Sequence, residues 1–315
     1  MNWPGKRKGY DGWLALGLHH DRVDLVHVRR PGTGRPVVAL CESHLKASSE
    51  PQALRRMCAM HKLGRYRCTT LLDRKAYQLH QLEAPSVPAS EMRSAIRWRA
   101  KDVIDYPLDE ATIDLLEIPA DSDAPAPDHK VYAVTAPNSA IRLCMQAFND
   151  ARVPLKAIDI AELAQRNLAA LFEPSGHGVA MLAFYEHEGM LTFTRAGELY
   201  NARRIDLTVS QLMDGDRQEA HLERIALEVQ RSLDHLGRQY HYVPLSKLLL
   251  GPLPGQLGRD LHEYLSANIN LPVETVDLAQ ALDLAAVPEL RTAACQSRFL
   301  QTIGAALRDE PTTVA

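Results

Sequence analysis

The chain has 315 residues, of which 46% are hydrophobic and 24% are charged, and its formal net charge is −3. These values are ordinary for a globular protein of about two domains, and they exclude a disordered tail, a collagen-like rod and a coiled coil. The near-neutral charge and the 6% of aromatic residues argue against a nucleic-acid surface built from basic and stacking side chains.

Two features of the sequence bear on the compartment. No stretch reaches the roughly 18 apolar residues of a membrane span, and no apolar export signal follows the basic start at Lys6 to Lys8. The five cysteines are odd in number and form no Cys-x-x-Cys pair, so they indicate neither a zinc site nor a disulfide framework. We therefore expect a cytoplasmic protein.

The first half opens with three short apolar runs separated by a polar corner and a Pro-Gly turn, which predicts an antiparallel meander. Segments with strand-like and with helix-like apolar periodicity follow, and the acidic, proline-containing stretch at 120–128 is predicted to be an exposed loop. Strands are predicted at 13–18, 23–28, 36–41, 67–72, 77–82, 110–118, 130–135 and 155–160, and helices at 51–63, 90–103, 139–151 and 161–172.

The opening pattern returns after the Pro-Ser-Gly-His-Gly stretch at 174–178, about 166 residues further along. Strands are predicted at 179–184, 190–194, 199–205, 247–250 and 273–276, and helices at 219–240, 257–267 and 298–308. A repeat this long indicates a duplicated domain. Two α/β domains that each open with a meander are typical of the actin, Hsp70 and sugar-kinase architecture, in which a nucleotide lies between the domains against the two first turns.

Short motifs in a fixed order carry a family resemblance. They are Leu71-Leu72-Asp73, Tyr77-Gln78-Leu79, Pro85, Glu91, Ala95-Ile96-Arg97-Trp98, Asp102, Pro107-Leu108-Asp109, Asp114, Glu117-Ile118-Pro119, the run from Leu227 to Asp234, and the run from Ile303 to Arg308. With these motifs the chain resembles MshI-like proteins of MSHA-type pilus biogenesis and, more distantly, PilM and the cytoplasmic part of the secretion protein GspL. The resemblance spans roughly residues 14–308.

The resemblance implies an α/β, duplicated actin-like (RNase H-like) ATPase fold, with two domains around a cleft and a small PilM-type subdomain inserted in the first half. The expected divisions are a basic, disordered start at 1–10, a first domain at 11–174 with its insertion at about 73–130, a second domain at 178–297, a C-terminal helix at 298–308 that returns to the first domain, and a tail at 309–315.

The resemblance also implies a cytoplasmic scaffold at the inner membrane, within a type IV pilus assembly platform. Its partner would be a PilN-like bitopic membrane protein, whose cytoplasmic N-terminal peptide lies in a groove of the first domain in PilM. Family analogy and apolar character together select five residues of the inserted subdomain and its border as partner-binding: Tyr77, Leu79, Trp98, Ile104 and Tyr106.

The phosphate-binding motifs of such a fold are degraded here. PilM-like chains carry Gly-Ile-Asp-Ile-Gly at the first turn, where this chain reads Leu16-Gly17-Leu18-His19-His20-Asp21. The Asp-x-Gly expected at the second turn is Ala183-Phe184-Tyr185-Glu186, and the adenosine turn reads Gly251-Pro252, in which the proline has no N–H to donate. We expect no cofactor and no efficient ATP hydrolysis, because a phosphate site needs backbone N–H groups and a carboxylate for Mg²⁺.

Weak binding of ATP and Mg²⁺ stays open at this stage, and its candidate residues are Gly17, His19, His20, Asp21 and Gly251. The alternative function is therefore an actin-like ATPase whose ATP binding gates the cleft. A sugar-kinase-like enzyme would need a catalytic aspartate that residues 183–185 do not offer. Glu186 and Glu188 are expected to be ordinary solvated turn residues.

Three other clusters of charged residues and histidines each allow a functional and a purely structural interpretation. His19, His20 and Asp21 with the run from Glu186 to Glu188 could form a zinc site across the cleft, although neighbouring side chains on a strand point apart. The helix that carries Arg93, Arg97, Arg99 and Lys101 reads either as a partner or lipid contact or, as we prefer, as a solvated face with Trp98 in the core. Arg203 and Arg204 either face the cleft or cap a sheet edge.

Overall fold

The computed structural model describes residues 11–46, 50–121, 129–214 and 217–309. The expected disordered start at 1–10, the tail from 310 and most of the loop at 120–128 lie outside these residues. The strands are β1 (Trp13–Leu18), β2 (Arg22–Arg29), β3 (Val37–Leu45), β4 (Arg67–Leu71), β5 (Gln78–Glu83), β6 (Ala111–Ile118), β7 (Lys130–Pro137), β8 (Leu155–Asp159), β9 (Gly178–Phe184), β10 (Gly189–Arg195), β11 (Glu198–Ile205), β12 (Leu245–Leu250) and β13 (Val273–Thr275). The helices are α1 (Glu50–His61), α2 (Ala89–Ala100), α3 (Asn138–Asp150), α4 (Ala161–Ala169), α5 (Val209–Leu212), α6 (Gln218–Gln239), α7 (Gly255–Asn268) and α8 (Ala293–Ala306).

Each half of the chain builds a five-stranded sheet of the same topology. The orders are β3-β2-β1-β4-β8 and β11-β10-β9-β12-β13. In each sheet the first three strands of the chain segment pair antiparallel. The last two strands run parallel to the central strand, which is β1 in the first sheet and β9 in the second. The central strands β1 and β9 are almost wholly buried, which explains why they read as continuous apolar runs rather than as alternating ones.

A small three-stranded antiparallel sheet, β5-β7-β6, lies between β4 and β8 in the chain. Helix α2 covers it through Ile96 and Ala100, which pack against Ile113, Val131 and Ala133. We call β5, β6, β7 and α2 the inserted unit. It extends beyond the predicted boundary at about 130, because β7 supplies its central strand and ends only at Pro137.

Helices α4 and α8 lie between the two five-stranded sheets. Helix α8 packs on β1, β2, β4 and α4, and one apolar cluster joins both helices to Val26 of β2 and Met181 of β9. The last helix is longer and begins earlier than its predicted range of 298–308, since Thr292 caps its N-terminus by accepting a hydrogen bond from the Cys295 N–H. None of the helices within the described residues has the length and apolar character needed to cross a membrane.

Candidate functional site: the cleft between the two halves

The two turns that would hold phosphates in an actin-like cleft meet through side chains. The first lies between β1 and β2 and the second between β9 and β10. His19 Nδ1 of the first turn is 3.4 Å from Glu186 Oε2 of the second, and Arg22 Nη2 is 3.3 Å from the same oxygen. Both side chains also reach Asp24 Oδ2, at 3.0 Å from His19 Nε2 and 3.4 Å from Arg22 Nε. We call His19, Arg22, Asp24 and Glu186 the turn network.

Asp24 anchors the turn network because its side chain is fully buried on β2. Burial alone would raise its pKa, but its interactions with His19 and Ser43 and the charge of Arg22 outweigh burial, so the pKa lies below its usual value. The carboxylate is therefore ionised at neutral pH and lies in contact with both His19 and Arg22. Sequence reasoning missed Asp24, although an acidic residue inside the apolar run from Val23 to Val28 is a signal for a buried ion pair.

The two candidate glycines serve close packing. A Cβ at Gly17 would lie 2.5 Å from Thr302 Oγ1 of α8 and 3.2 Å from His19 Nε2. At Gly251 it would lie 2.9 Å from the Cβ of Ala183, and the Gly251 N–H already donates a 2.7 Å hydrogen bond to the Leu182 carbonyl. Both positions thus need glycine for reasons internal to the protein.

The other candidates at the first turn point elsewhere. His20 and Asp21 are exposed, and the Asp21 carboxylate accepts a hydrogen bond from Arg22 at 3.1 Å. His19 contacts Glu186, as the zinc hypothesis required, but His20 is not part of that contact. Among the described residues, the histidine and acidic ligand atoms that converge for a metal ion belong instead to Glu42, His44 and His61.

A second charged cluster ties the inserted unit and α4 to the second half. Glu162, 1% exposed on α4, accepts hydrogen bonds from Tyr77 Oη at 2.6 Å and from Arg204 Nη2 at 2.5 Å. Burial raises the pKa of Glu162 despite the Tyr77 hydrogen bond and the charge of Arg74. Glu188 is 3.1 Å from Arg74 Nε and 3.8 Å from Arg204 Nε. We call these five residues the Glu162 network.

Glu186 is 40% exposed, as expected of a solvated turn residue, but it also pairs with Arg22 of the facing turn. Glu188 departs further from the expectation, because it is only 20% exposed and lies between Arg74 of the first half and Arg204 of the second. The two adjacent arginines have different partners: Arg204 bonds to buried Glu162 of α4, whereas Arg203 pairs with Glu228 of α6 at 2.7 Å. Alternation along β11 explains the difference.

A cavity of about 360 Å³ adjoins the Glu162 network, between β5 of the inserted unit and β11. Its wall combines apolar and charged groups. The lining residues are Leu79, Gln81, Tyr132, Glu162, Asn201, Ala202, Arg203 and Arg204. Leu79 is therefore the one of the five candidate partner-binding residues that lines this cavity.

The remaining partner-binding candidates are dispersed over the inserted unit and its border. Tyr77 is 2% exposed, and its hydroxyl is occupied by Glu162 and by the Ala161 N–H. Ile104 and Tyr106 are half-buried and pack on the apolar core beneath α2. Trp98 lies alone on the outer face of α2. The structure thus separates the five residues into the cleft border, the core under α2 and the outer surface.

The preferred interpretation of Trp98 as a core residue is wrong, since its side chain is 68% exposed. Ile96 and Ala100 supply the buried face of α2 instead. The arginines around Trp98 are also engaged: Arg93 pairs with Asp114 at 2.8 Å, Arg99 donates to the Glu83 carbonyl at 2.6 Å, and Arg97 donates to the carbonyls of Ala111 and Leu108. These bonds fix α2 on its sheet and leave the indole facing solvent.

Comparison with known structures shows similarity over nearly the whole chain. The PilM-PilN type IV pilus biogenesis complex matches with 19% identity and a TM-score of 0.72, covering 95% of this chain and 99% of that chain. The cytoplasmic domain of EpsL, an inner membrane component of the type II secretion system of Vibrio cholerae, matches with 12% identity, a TM-score of 0.52 and coverage of 95% and 97%. A Bacteroides thetaiotaomicron protein of actin-like ATPase fold and unknown function matches with 9% identity, a TM-score of 0.49 and coverage of 92% and 99%.

No protein-family model matches the sequence, and no curated protein matches it. The duplicated sheet order together with the full-length structural match shows that the chain has a two-domain actin-like fold. The predicted fold class is thereby confirmed.

Proposed function

We propose that the chain is a non-catalytic scaffold of a type IV pilus assembly platform, of the MSHA type, in the cytoplasm at the inner membrane. It binds the cytoplasmic N-terminal peptide of a PilN-like bitopic membrane protein and reaches the membrane through that partner. The observation that carries the proposal is the match to the PilM-PilN complex, which covers 95% of this chain and 99% of that one with a TM-score of 0.72.

The side chains of the cleft support the non-catalytic part of the proposal. Glu186 places a carboxylate between the two turns, where an actin-like ATPase needs groups that attract phosphate. The Gly251 N–H is bonded to a carbonyl, and the space beside Gly17 is filled by Thr302. The turn network therefore pairs acidic and basic side chains across the position at which a nucleotide's phosphates would lie.

The outer face of α2 is our preferred docking surface for the peptide. A solvent-facing tryptophan is the residue type that most often anchors a protein interface, and Trp98 is held on a helix whose arginines fix it to a sheet. A membrane-tethered peptide meets this surface at high effective concentration, so modest intrinsic affinity suffices. The cavity that contains Leu79 is the second surface of the inserted unit on which the peptide could dock.

The binding experiment uses a fluorescent peptide with the cytoplasmic N-terminal sequence of the PilN-like protein and fluorescence anisotropy. We expect saturable binding, weakened at least tenfold in Trp98→Ala because a buried aromatic anchor contributes 2 kcal/mol or more. Met213→Ala is the matched control, because Met213 is equally exposed, at 67%, but lies in the second half. Absence of binding to the unmodified chain overturns the proposed function, whereas binding that Trp98→Ala leaves intact moves the site to the Leu79 cavity.

A separate experiment tests for nucleotide. The melting temperature is measured with and without millimolar Mg-ATP, and we expect no change. A ligand present at about 100 times its dissociation constant would raise it by roughly 5 °C. A rise of that size would contradict the non-catalytic scaffold and favour the ATP-gated alternative.

A further inference from the structure

Two histidines and a glutamate converge at the edge of the first sheet, on the face opposite Asp24, whose cross-strand neighbour is Ser43. Glu42 and His44 are two residues apart on the edge strand β3, so their side chains leave the same face. His61 is the last residue of α1. His44 Nε2 lies 3.0 Å from Glu42 Oε2 and His61 Nε2 lies 3.2 Å from the same oxygen. The three ligand atoms all lie within 4.8 Å of one another.

We propose that Glu42, His44 and His61 bind a divalent transition metal ion, with zinc as the best-fitting member of that class. Two imidazole nitrogens and one carboxylate oxygen are a common protein ligand set for zinc. Bonds of about 2.0–2.1 Å in a tetrahedral arrangement place neighbouring ligand atoms about 3.3 Å apart. The two measured separations, 3.0 Å and 3.2 Å, lie close to that value.

The geometry at His61 separates this cluster from an ordinary hydrogen-bonded pair. Its Nε2 atom is buried and has no hydrogen-bond partner, although the carboxylate oxygen is only 3.2 Å away. A buried imidazole nitrogen without a partner carries an energetic cost, and a metal ion at the centre of the three atoms removes that cost. The His61 and His44 ring centroids are 5.5 Å apart with their planes inclined at 68°, and both Nε2 atoms lie within 3.2 Å of the common oxygen.

The exposure of the three side chains and their place at the edge of the sheet indicate what a bound ion would do. The side chains of Glu42, His44 and His61 are 40%, 24% and 17% exposed, so an ion can enter from solvent and keep one coordination position for water or a ligand from another molecule. It would join the last turn of α1 to the strand that forms the outer edge of the first sheet. Because binding requires the folded arrangement, the ion would stabilise this edge.

The first test is isothermal titration of the untagged full chain with ZnCl₂. We expect one equivalent to bind, with affinity reduced at least 100-fold in His44→Ala and in His61→Ala. His235→Ala, an exposed histidine on α6, and Cys58→Ser, a thiol on α1, are matched controls and should leave the affinity unchanged. Loss of binding in either control with retention in His44→Ala would overturn the assignment, as would absence of binding to the unmodified chain.

The second test measures the melting temperature with zinc or magnesium and the visible absorption spectrum of bound Co²⁺. Zinc at about 100 times its dissociation constant should raise the melting temperature by roughly 5 °C, while Mg²⁺ at the same concentration should not. Co²⁺ in place of zinc should give a visible absorption band that disappears in Glu42→Gln, a substitution that keeps the side-chain shape. An equal stabilisation by Mg²⁺, or a Co²⁺ band unchanged by Glu42→Gln, would contradict a site made by these three residues.

Discussion

The faces of the two sheets that point toward each other differ in chemistry from the faces that point outward. The outer faces are covered by α1 and α3 on the first half and by α6 and α7 on the second, over large side chains such as Phe148 and Phe193. The inner region contains α4 and α8, many alanines, a helical glycine at Gly304, and the buried carboxylates of Asp24 and Glu162. Both regions are apolar, but only the inner one adds close backbone contact between helices at Gly304 and charge pairs that join the two halves.

This difference shows which interactions join the two halves of the duplicated chain. Burial of large apolar groups stabilises each half internally. Between the halves, Arg204 of the second half bonds to Glu162 of α4, and Arg74 of the first half pairs with Glu188 of the second. Substitutions on matched inner and outer positions should therefore have unequal effects.

The largest expected difference is between two neighbours on β11. Arg204→Ala removes the cation bonded to buried Glu162 and should lower the free energy of unfolding by about 3 kcal/mol, since it leaves a buried carboxylate without its partner. Arg203→Ala breaks only the partly exposed pair with Glu228 and should cost less than about 1 kcal/mol. Urea unfolding measures both.

The Arg204→Ala experiment has a clear contrary outcome. Equal losses in the two variants would mean that the inner pair contributes no more than a surface pair. Lys at position 204 is a useful intermediate, because it keeps the charge but not the two-nitrogen contact that Arg204 makes with Glu162 Oε1. We expect the loss in free energy of unfolding for Arg204→Lys to lie between those for Arg204→Ala and Arg203→Ala.

The next comparison sets an inner helical glycine against an outer one. Gly304 of α8 lies against the backbone of Ala164 in α4, where a Cβ would collide. Gly304→Ala should destabilise the chain by about 1–3 kcal/mol, because two packed helix backbones would have to separate. Gly237 of α6 has open space around it, so Gly237→Ala should stabilise by up to about 1 kcal/mol through helix propensity alone.

Thermal unfolding of the two glycine variants and the unmodified chain gives the readout, with opposite signs expected. A stabilising effect of Gly304→Ala would show that α4 and α8 do not depend on close approach. The same substitution tests why the run from Gly304 to Leu307 consists mainly of small residues. Those small residues are explained by the contact between α8 and α4.

Apolar periodicity predicted the elements of both sheets, because the central strands β1 and β9 are buried on both sides and read as unbroken runs. The inserted unit was harder, since its boundary depends on the pairing of β7 with β5 and β6, which is not a local property. The preferred interpretation placed Trp98 in the core, but the helix register places Ile96 and Ala100 there and leaves Trp98 exposed.

The candidate site was predictable only in part. The sequence identified the two turns and their departures from phosphate-binding motifs, and residues at those turns do meet in the cleft. It could not identify the partners of Glu186 and Glu188, because Arg22 and Arg74 reach them from the other half of the chain. Ion pairs between distant segments leave no periodic signal, so Glu162 and Arg204 could be joined only by the folded structure.

The smallest expected difference concerns exposed charge pairs. Glu186→Gln weakens the contacts of the turn network with His19 and Arg22, but its side chain is 40% exposed, so solvent screening should keep the loss near 0.2–1 kcal/mol. Asp114→Asn on the outer face of the inserted unit breaks a pair in which both side chains are 70% exposed, and its effect should be smaller still. Urea unfolding at low and at high salt should show the Glu186 effect persisting while the Asp114 effect vanishes, because Asp24 keeps part of the turn network buried. If both effects vanish in salt, the turns are joined only by surface electrostatics, and the packing of α4 and α8 together with the Glu162 network must hold the halves together.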